Sequence, residues 1–97
     1  MGKLPKERIQ RHADIFKAIG NPIRLEILSF IAHHNASVCA GDFENLVDLS
    51  QPTISHHLKI LAKAGLIEPQ KQGTWIRYSI RPQAIISLME DLRDLLK

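Results

Sequence analysis

Apolar residues recur every three or four positions over much of the chain, which is the spacing of one buried face of an α-helix. Pro5 opens the first such stretch, since a proline needs no amide hydrogen in the first helical turn. Gly20 closes it, in the left-handed conformation that glycine often adopts after a helix. The stretch predicts a helix over about 5–19, with an apolar face made of Ile9, Ala13, Phe16 and Ile19.

Two further helices are predicted before residue 48. The stretch of about 22–33 is apolar on nearly every side, with Asn21 as its N-cap and Pro22 at its first position. A helix with so little polar surface is expected to be central and buried. A shorter helix over about 39–47, capped by Ser37, would turn three side chains inward: Phe43, Leu46 and Val47.

The next predicted helix, about 51–64, has a polar outer face. Ser50 suits its N-cap, Pro52 is tolerated in its first turn, and Gly65 ends it. Its inner face contains Ile54, Leu58, Leu61 and Ala62. The remaining positions carry hydrogen-bonding groups and positive charge but no acid, and they are Gln51, Thr53, Ser55, His56, His57, Lys59 and Lys63.

After residue 65 the period of the apolar positions changes from 3.6 to 2, which indicates strands. Leu66 and Ile67 begin one strand, and residues 75–80 form a second. The polar stretch 68–74 between them contains Gly73, a good turn residue. These features predict a β-hairpin with an exposed, basic tip.

A last helix is predicted from Pro82 onward, with acids on one face and a strong apolar stripe on the other. Such a stripe is either ordinary core or the seam of a dimer. We favour the seam, because the small core beneath it is already filled. The residues of the stripe are Ile85, Leu88, Met89, Leu92 and Leu95.

Composition narrows the class of protein. The chain has 97 residues, 44% hydrophobic and 24% charged, which is typical of one small globular domain. No run of about 18 apolar residues predicts a transmembrane helix, and the charged start does not resemble a signal peptide. Because no transmembrane helix is predicted, we expect no membrane partner. Cys39 is the only cysteine, which excludes an internal disulfide and favours a cytoplasmic location.

The net charge of +3 is unevenly distributed. Residues 25–48 contain four acids and no Lys or Arg, whereas residues 49–81 contain five Lys or Arg and one acid. A basic block of this kind is either a footprint for nucleic-acid phosphates or a solvated face.

The order of elements predicts a mainly α fold with a small β-hairpin, namely a winged helix-turn-helix of five helices and a two-stranded wing. The DNA major groove admits one helix, whose outer side chains can reach base edges. The outer residues of 51–64 from Gln51 to His57 are of the type that reads bases. Lys59 and Lys63, with Lys71 and Arg77 of the wing, suit phosphates. Ser50 is also expected to contact DNA, because the free amides at the start of this helix can hold a phosphate.

Residues 12–80 resemble the ArsR/SmtB family of bacterial winged-helix repressors. The resemblance is carried by residues 16–28, by S-Q-P-T-I-S-H-H-L-K-I-L-A-K-A-G-L at 50–66, and by the wing at 71–80. It implies a homodimer that binds operator DNA near its own promoter and is released by an inducer. Two-fold symmetry would place the recognition helices about 34 Å apart, so the operator should be an inverted repeat.

The resemblance also implies an organisation for the single domain of residues 1–97. Segments 1–20 and 82–97 would form the dimer interface, 39–64 the helix-turn-helix and 66–80 the wing. The expected interface residues are Ile9, Phe16, Ile85, Leu88, Met89, Leu92 and Leu95, with His12 packed at the same seam.

The family's metal sites are incomplete in this chain. Metal-responsive members carry E-L-C-V-C-D-L where this sequence has S-V-C-A-G-D-F, so Gly41 replaces the second cysteine. Residues 82–97 contain no histidine, which removes the other usual site. We therefore expect no metal or cofactor and leave the inducer unidentified. Cys39 is either a small buried residue or a thiol sensor, and a site formed with His33 or His34 is a weaker possibility.

No enzyme motif is present, and no catalytic residue is assigned. The sequence predicts a transcriptional repressor. One alternative is a DNA binder that is constitutive or responds to a thiol or redox signal; another is a winged-helix module for protein–protein interaction. If His56 and His57 both contact DNA, mild acid should strengthen binding, because each would gain positive charge.

Overall fold

Four α-helices and a three-stranded antiparallel sheet make up the part of the chain that the computed structural model describes, which is residues 4–34, 38–43 and 48–96. In chain order the elements are α1 (Lys6–Ile19), α2 (Pro22–His33), β1 (Val38–Cys39), a 3-10 helix (Ala40–Phe43), α3 (Gln51–Lys63), β2 (Ile67–Gln72), β3 (Trp75–Ile80) and α4 (Pro82–Asp94). The winged helix-turn-helix class predicted from the sequence is confirmed. The described part differs from the prediction in helix number and in its third strand.

Side-chain caps begin α2 and α3 where the sequence predicts them. The Oδ1 atom of Asn21 accepts hydrogen bonds from the amides of Ile23 and Arg24, at 2.9 and 3.2 Å. The Oγ atom of Ser50 accepts one from the amide of Thr53 at 3.4 Å. These oxygens satisfy amides that have no partner inside the first helical turn.

Glycine ends two helices for different reasons. Gly65 follows α3 with a φ of 79°, the left-handed conformation predicted for it. The same prediction for Gly20 is wrong, because its φ is −78°. A Cβ at this position would lie 2.9 Å from the carbonyl oxygen of Phe16, so Gly20 is required for a close approach of the backbone.

The segment after α2 also corrects the prediction. Residues 38–43 form β1 and a 3-10 helix in place of the start of an α-helix. Val38 pairs with Tyr78 of β3, and the Oδ2 atom of Asp42 accepts a hydrogen bond from the Cys39 amide at 2.9 Å. Strand pairing and this local bond compete with helix formation. The expected cap at Ser37 and the inward positions Leu46 and Val47 lie outside the described residues.

The sheet has the order β1-β3-β2, so the wing gains a third strand from the segment before α3. β2 continues to Gln72, through residues expected to form a polar turn, and the turn itself is limited to Gly73 and Thr74. Pro69 is accommodated because β2 lies at the edge of the described sheet.

The core lies between the helices and the base of the sheet. Ile27 and Ile31 of α2 are completely buried there, with Ile54 and Leu61 of α3. α2 is central, as its apolar sequence predicts, but it is less buried than expected, because Leu25 is 51% exposed. The helix buries one face and presents the other to solvent.

Candidate nucleic-acid interface

One side of α3 is exposed to solvent. Ile54, Leu58 and Leu61 anchor the opposite side in the core. Their burial orients the helix, so that its exposed side carries amide, hydroxyl, imidazole and ammonium groups. The exposed residues on this side are Gln51, Ser55, His56, Lys59 and Lys63, all of which the sequence predicts to contact DNA.

Ser50 and Thr53, both predicted to contact DNA, bond to each other at the start of α3. The hydroxyls of Ser50 and Thr53 lie 3.0 Å apart within hydrogen-bond distance, and Ser50 also caps the helix. Thr53 is half-buried. These two side chains hold the start of the helix in place, so a role at a base edge would compete with the cap.

His57 does not lie on the exposed side of α3, which corrects its place among the DNA-reading residues. Its side chain faces α2 and the residue is 8% exposed. Its Nδ1 atom lies 3.2 Å from Nη1 of Arg24. Burial, then the Arg24 charge, then His56 lower the pKa of His57 from its usual value of 6.5.

Arg24 is a residue that connects helices and that sequence reasoning missed. Besides the bond to His57, its Nε donates to the carbonyl of Ala18 at 2.5 Å, and its Nη2 donates to that of Lys17 at 3.1 Å. It therefore joins three helices: α1, α2 and α3. The available signal was the only cation in the mainly apolar stretch 22–32, but a partner 33 residues away along the chain has no local signature.

The wing places its two predicted cations on opposite faces. Lys71 is paired with Ile76 across the strands, and Arg77 is paired with Gln70. Because successive side chains of a strand point to opposite faces, Lys71 and Arg77 do not share one. Both are exposed. Trp75 at the tip of the wing is 67% exposed and was not among the residues predicted to contact DNA.

Cys39 lies on β1 opposite Arg77 and is half-buried, with a free thiol. Burial and the nearby Cys39 raise the pKa of Tyr78. His33 and His34 each bond through Nδ1 to a carbonyl of their own helix, at 2.7 and 2.8 Å. Among the described residues, no three His, Cys, Asp or Glu side chains are grouped so that they could hold a metal ion.

An apolar groove of about 930 Å³ runs between α1 and α4. Several of the predicted interface residues are exposed, namely Ile9, Phe16, Met89, Leu92 and Leu95. Two expectations change here: Leu88 is only 5% exposed and belongs to the chain's own core, and Ile85 is half-buried against that core. Both side chains face inward on α4, because this helix packs on the domain as well as presenting an outer face.

His12 and Asp91 form a buried pair at the floor of this groove. Nε2 of His12 lies 2.6 Å from a carboxylate oxygen of Asp91, and Arg8 approaches the other oxygen at 3.7 Å. His12 therefore packs against a partner in its own chain. The pair ties α1 to α4, which keeps the two sides of the groove in a defined relation.

None of the helices that the structure describes has the length and apolar character of a membrane-spanning segment.

This chain is similar in sequence to known transcriptional regulators. Residues 21–68 match the family model described as bacterial regulatory protein, arsR family. An uncharacterized HTH-type transcriptional regulator of Methanocaldococcus jannaschii is 45% identical over 89 residues, which cover 89% of this chain and 99% of that protein. A putative arsenical resistance operon repressor of Halobacterium salinarum is 34% identical over 94 residues, covering 97% and 78% of the two chains.

A solved structure supports the same family assignment. The ArsR-like transcriptional regulator from Rhodococcus sp. RHA1 superposes with a TM-score of 0.80 at 26% identity, covering 92% of this chain and 82% of that one. The family is one of DNA-binding transcriptional regulators, not of enzymes. On the matched residues, the identity and the shared fold, this chain belongs to the ArsR family of transcriptional regulators.

Proposed function

We propose that the protein is a repressor that binds an inverted-repeat operator as a homodimer and leaves it in response to a signal. The observation that carries this proposal is the exposed side of α3, which combines hydrogen-bonding groups with two lysines and contains no acid. The DNA major groove admits one α-helix, and side chains of this chemistry can pair with base edges there.

Each part of the surface has a role in the proposal. Gln51, Ser55 and His56 contact base edges, because their donors and acceptors are held outward by the buried side of α3. Lys59 and Lys63 lie toward the C-terminal end of the helix and neutralise phosphates. The wing adds Lys71 and Arg77 on its two faces.

The second copy is placed on the groove between α1 and α4. Exposed apolar side chains line the groove. Burying them in a dimer would remove apolar surface from water, which favours association. Two-fold symmetry across this face presents both copies of α3 to one side of a duplex, about one helical turn apart.

The releasing signal is not one of the metals suggested by relatives. Some relatives are named for resistance to cadmium or arsenicals. A soft ion needs two or three thiolates together, and this chain has one cysteine, with Gly41 in place of a second. We propose that the protein works without a metal, and its inducer is left unassigned. If the repressor responds to oxidation, the half-buried Cys39 thiol is the candidate sensor.

A binding titration tests the function. The protein is titrated against a duplex from its own upstream region and against a shuffled duplex of equal length, in 50 and 200 mM salt. We expect preference for the upstream DNA, and affinity that falls by orders of magnitude as salt rises. Equal, salt-insensitive binding to both duplexes would contradict the proposal and favour a protein–protein interaction module.

A further inference from the structure

We propose that Arg24 and His57 form a latch that holds α3 in its DNA-reading orientation while His57 is neutral, so that mild acid weakens operator recognition. The inference rests on the proposed operator binding. It concerns two residues that face away from the DNA and act by positioning the helix.

The latch connects the recognition helix with the last turn of α1. Arg24 reaches from the first turn of α2 in both directions: two of its nitrogens donate to the carbonyls of Lys17 and Ala18, and a third meets Nδ1 of His57. Carbonyls at the C-terminal end of a helix lack helical donors, so Arg24 completes α1 while it holds α3. A change at His57 is therefore transmitted to the helix expected at the dimer interface.

The chemistry of the bond requires a neutral imidazole. A guanidinium has only donors, so Nδ1 of His57 must accept the hydrogen bond and the ring proton must reside on Nε2. Protonation would convert Nδ1 into a second donor and place two positive groups 3.2 Å apart. The bond would then be lost and replaced by repulsion.

The surrounding charges reinforce this effect. His56 lies beside His57, with ring centroids 5.7 Å apart, so a proton on His56 would add a further positive charge next to His57. A cleft of about 340 Å³ adjoins the guanidinium, and its ionisable groups are Asp14 and Lys17 from α1, Arg24 from α2 and Lys63 from α3. One acid faces three permanent cations there, so the cleft does not favour an added positive charge.

A proton on His56 and a proton on His57 should therefore have opposite effects on operator binding. His56 is exposed on the DNA side, and its protonation strengthens attraction to any duplex. His57 is buried behind the helix, and its protonation releases α3, which must then be reordered when it binds its operator. The ratio of operator affinity to shuffled-duplex affinity separates the two effects, since only loss of orientation lowers that ratio.

The test measures this ratio from pH 7.5 to 5.5 for the wild type, His57→Gln and His56→Gln. Glutamine at position 57 keeps an acceptor for Arg24 but cannot be protonated. We expect the wild-type ratio to fall about tenfold, in line with the loss of one hydrogen bond to a charged group. The ratio should stay level in His57→Gln and still fall in His56→Gln. A fall of equal size in His57→Gln would overturn the inference.

A measurement without DNA separates this inference from the proposed function. Nitrogen-detected NMR of the free protein should show neutral His57 as the Nε2–H tautomer, with a pKa below the usual histidine value of 6.5. In Arg24→Lys, a single ammonium cannot bridge the three acceptors, and the pKa of His57 should rise toward its usual value of 6.5, with the fold checked by circular dichroism. An Nδ1–H tautomer would overturn the latch. The predicted tautomer without operator preference at any pH would instead contradict the proposed function.

Discussion

His56 and His57 are adjacent in the chain and have opposite surroundings. Successive residues of a helix point about 100° apart, and here that rotation crosses the boundary of the core. His56 is exposed, whereas His57 is 8% exposed and bonded to Arg24. Residue type alone therefore does not identify a DNA contact on this helix.

The lowered pKa of His57 predicts how fold stability depends on pH. A histidine with a pKa below its unfolded value of 6.5 binds fewer protons when the protein is folded. Its contribution is fully present above pH 6.5 and is lost as the pH falls toward the folded pKa. Urea unfolding between pH 7.5 and 5 should show a smaller loss of stability for His57→Gln than for the wild type. Parallel pH profiles would contradict this assignment.

Changing Gln51 or Lys71 to alanine should weaken DNA binding in two different ways. Loss of Gln51 should cost about 1–3 kcal/mol at one base pair and relax the preference there, because its amide can pair with a base edge. Loss of Lys71 should weaken binding to all sequences and reduce the salt dependence. Titrations against operators with single base changes measure both effects. A changed base preference in Lys71→Ala would count against its role as a phosphate contact.

At the scale of elements, helix ends follow local rules that strand pairing can override. The caps at Asn21 and Ser50 form as predicted, because each bonds within three residues. The segment 38–43 does not form the predicted helix, because β3 offers it a partner from a distant part of the chain. Local signals hold where no remote partner competes.

The cap of α2 gives a stability prediction. Asn21→Ala removes an oxygen that accepts from two amides, and the free energy of unfolding should fall by about 1 kcal/mol. Urea denaturation measures the change. Ser29→Ala, an exposed position inside the same helix, is the matched control and should be nearly neutral. Equal losses in the two variants would show that the cap is not the cause.

At the scale of the whole molecule, the groove between α1 and α4 is the surface proposed for the second copy. Leu95 is 67% exposed and lines this groove. Leu95→Glu would place a charge in the proposed interface, and we expect a monomer with weaker operator binding. Light scattering after size exclusion measures the mass.

Ile86 provides the control for that experiment. It is an exposed apolar residue of the same helix, 43% exposed, but it does not line the groove. Ile86→Glu should therefore leave the mass of the dimer unchanged. Loss of the dimer in both variants would indicate destabilised helix packing, and loss in neither would place the second copy elsewhere.

The amino-acid sequence by itself determined the features that depend on nearby residues. Apolar spacing gave the bounds of α3 and the pairing of β2 with β3, and capping residues gave the starts of α2 and α3. The polar outer side of residues 51–63 and its lack of acids were also visible in the sequence, together with the family motif.

Only the tertiary structure decided which side chains meet across the chain. It turned His57 inward to Arg24, paired β1 with β3, and placed Leu88 in the core. Helical periodicity specifies an apolar stripe but not where its edges fall, because the edge depends on the shape of the neighbouring element. Contacts between residues such as 24 and 57 follow from the packing of three helices, and no local spacing encodes them.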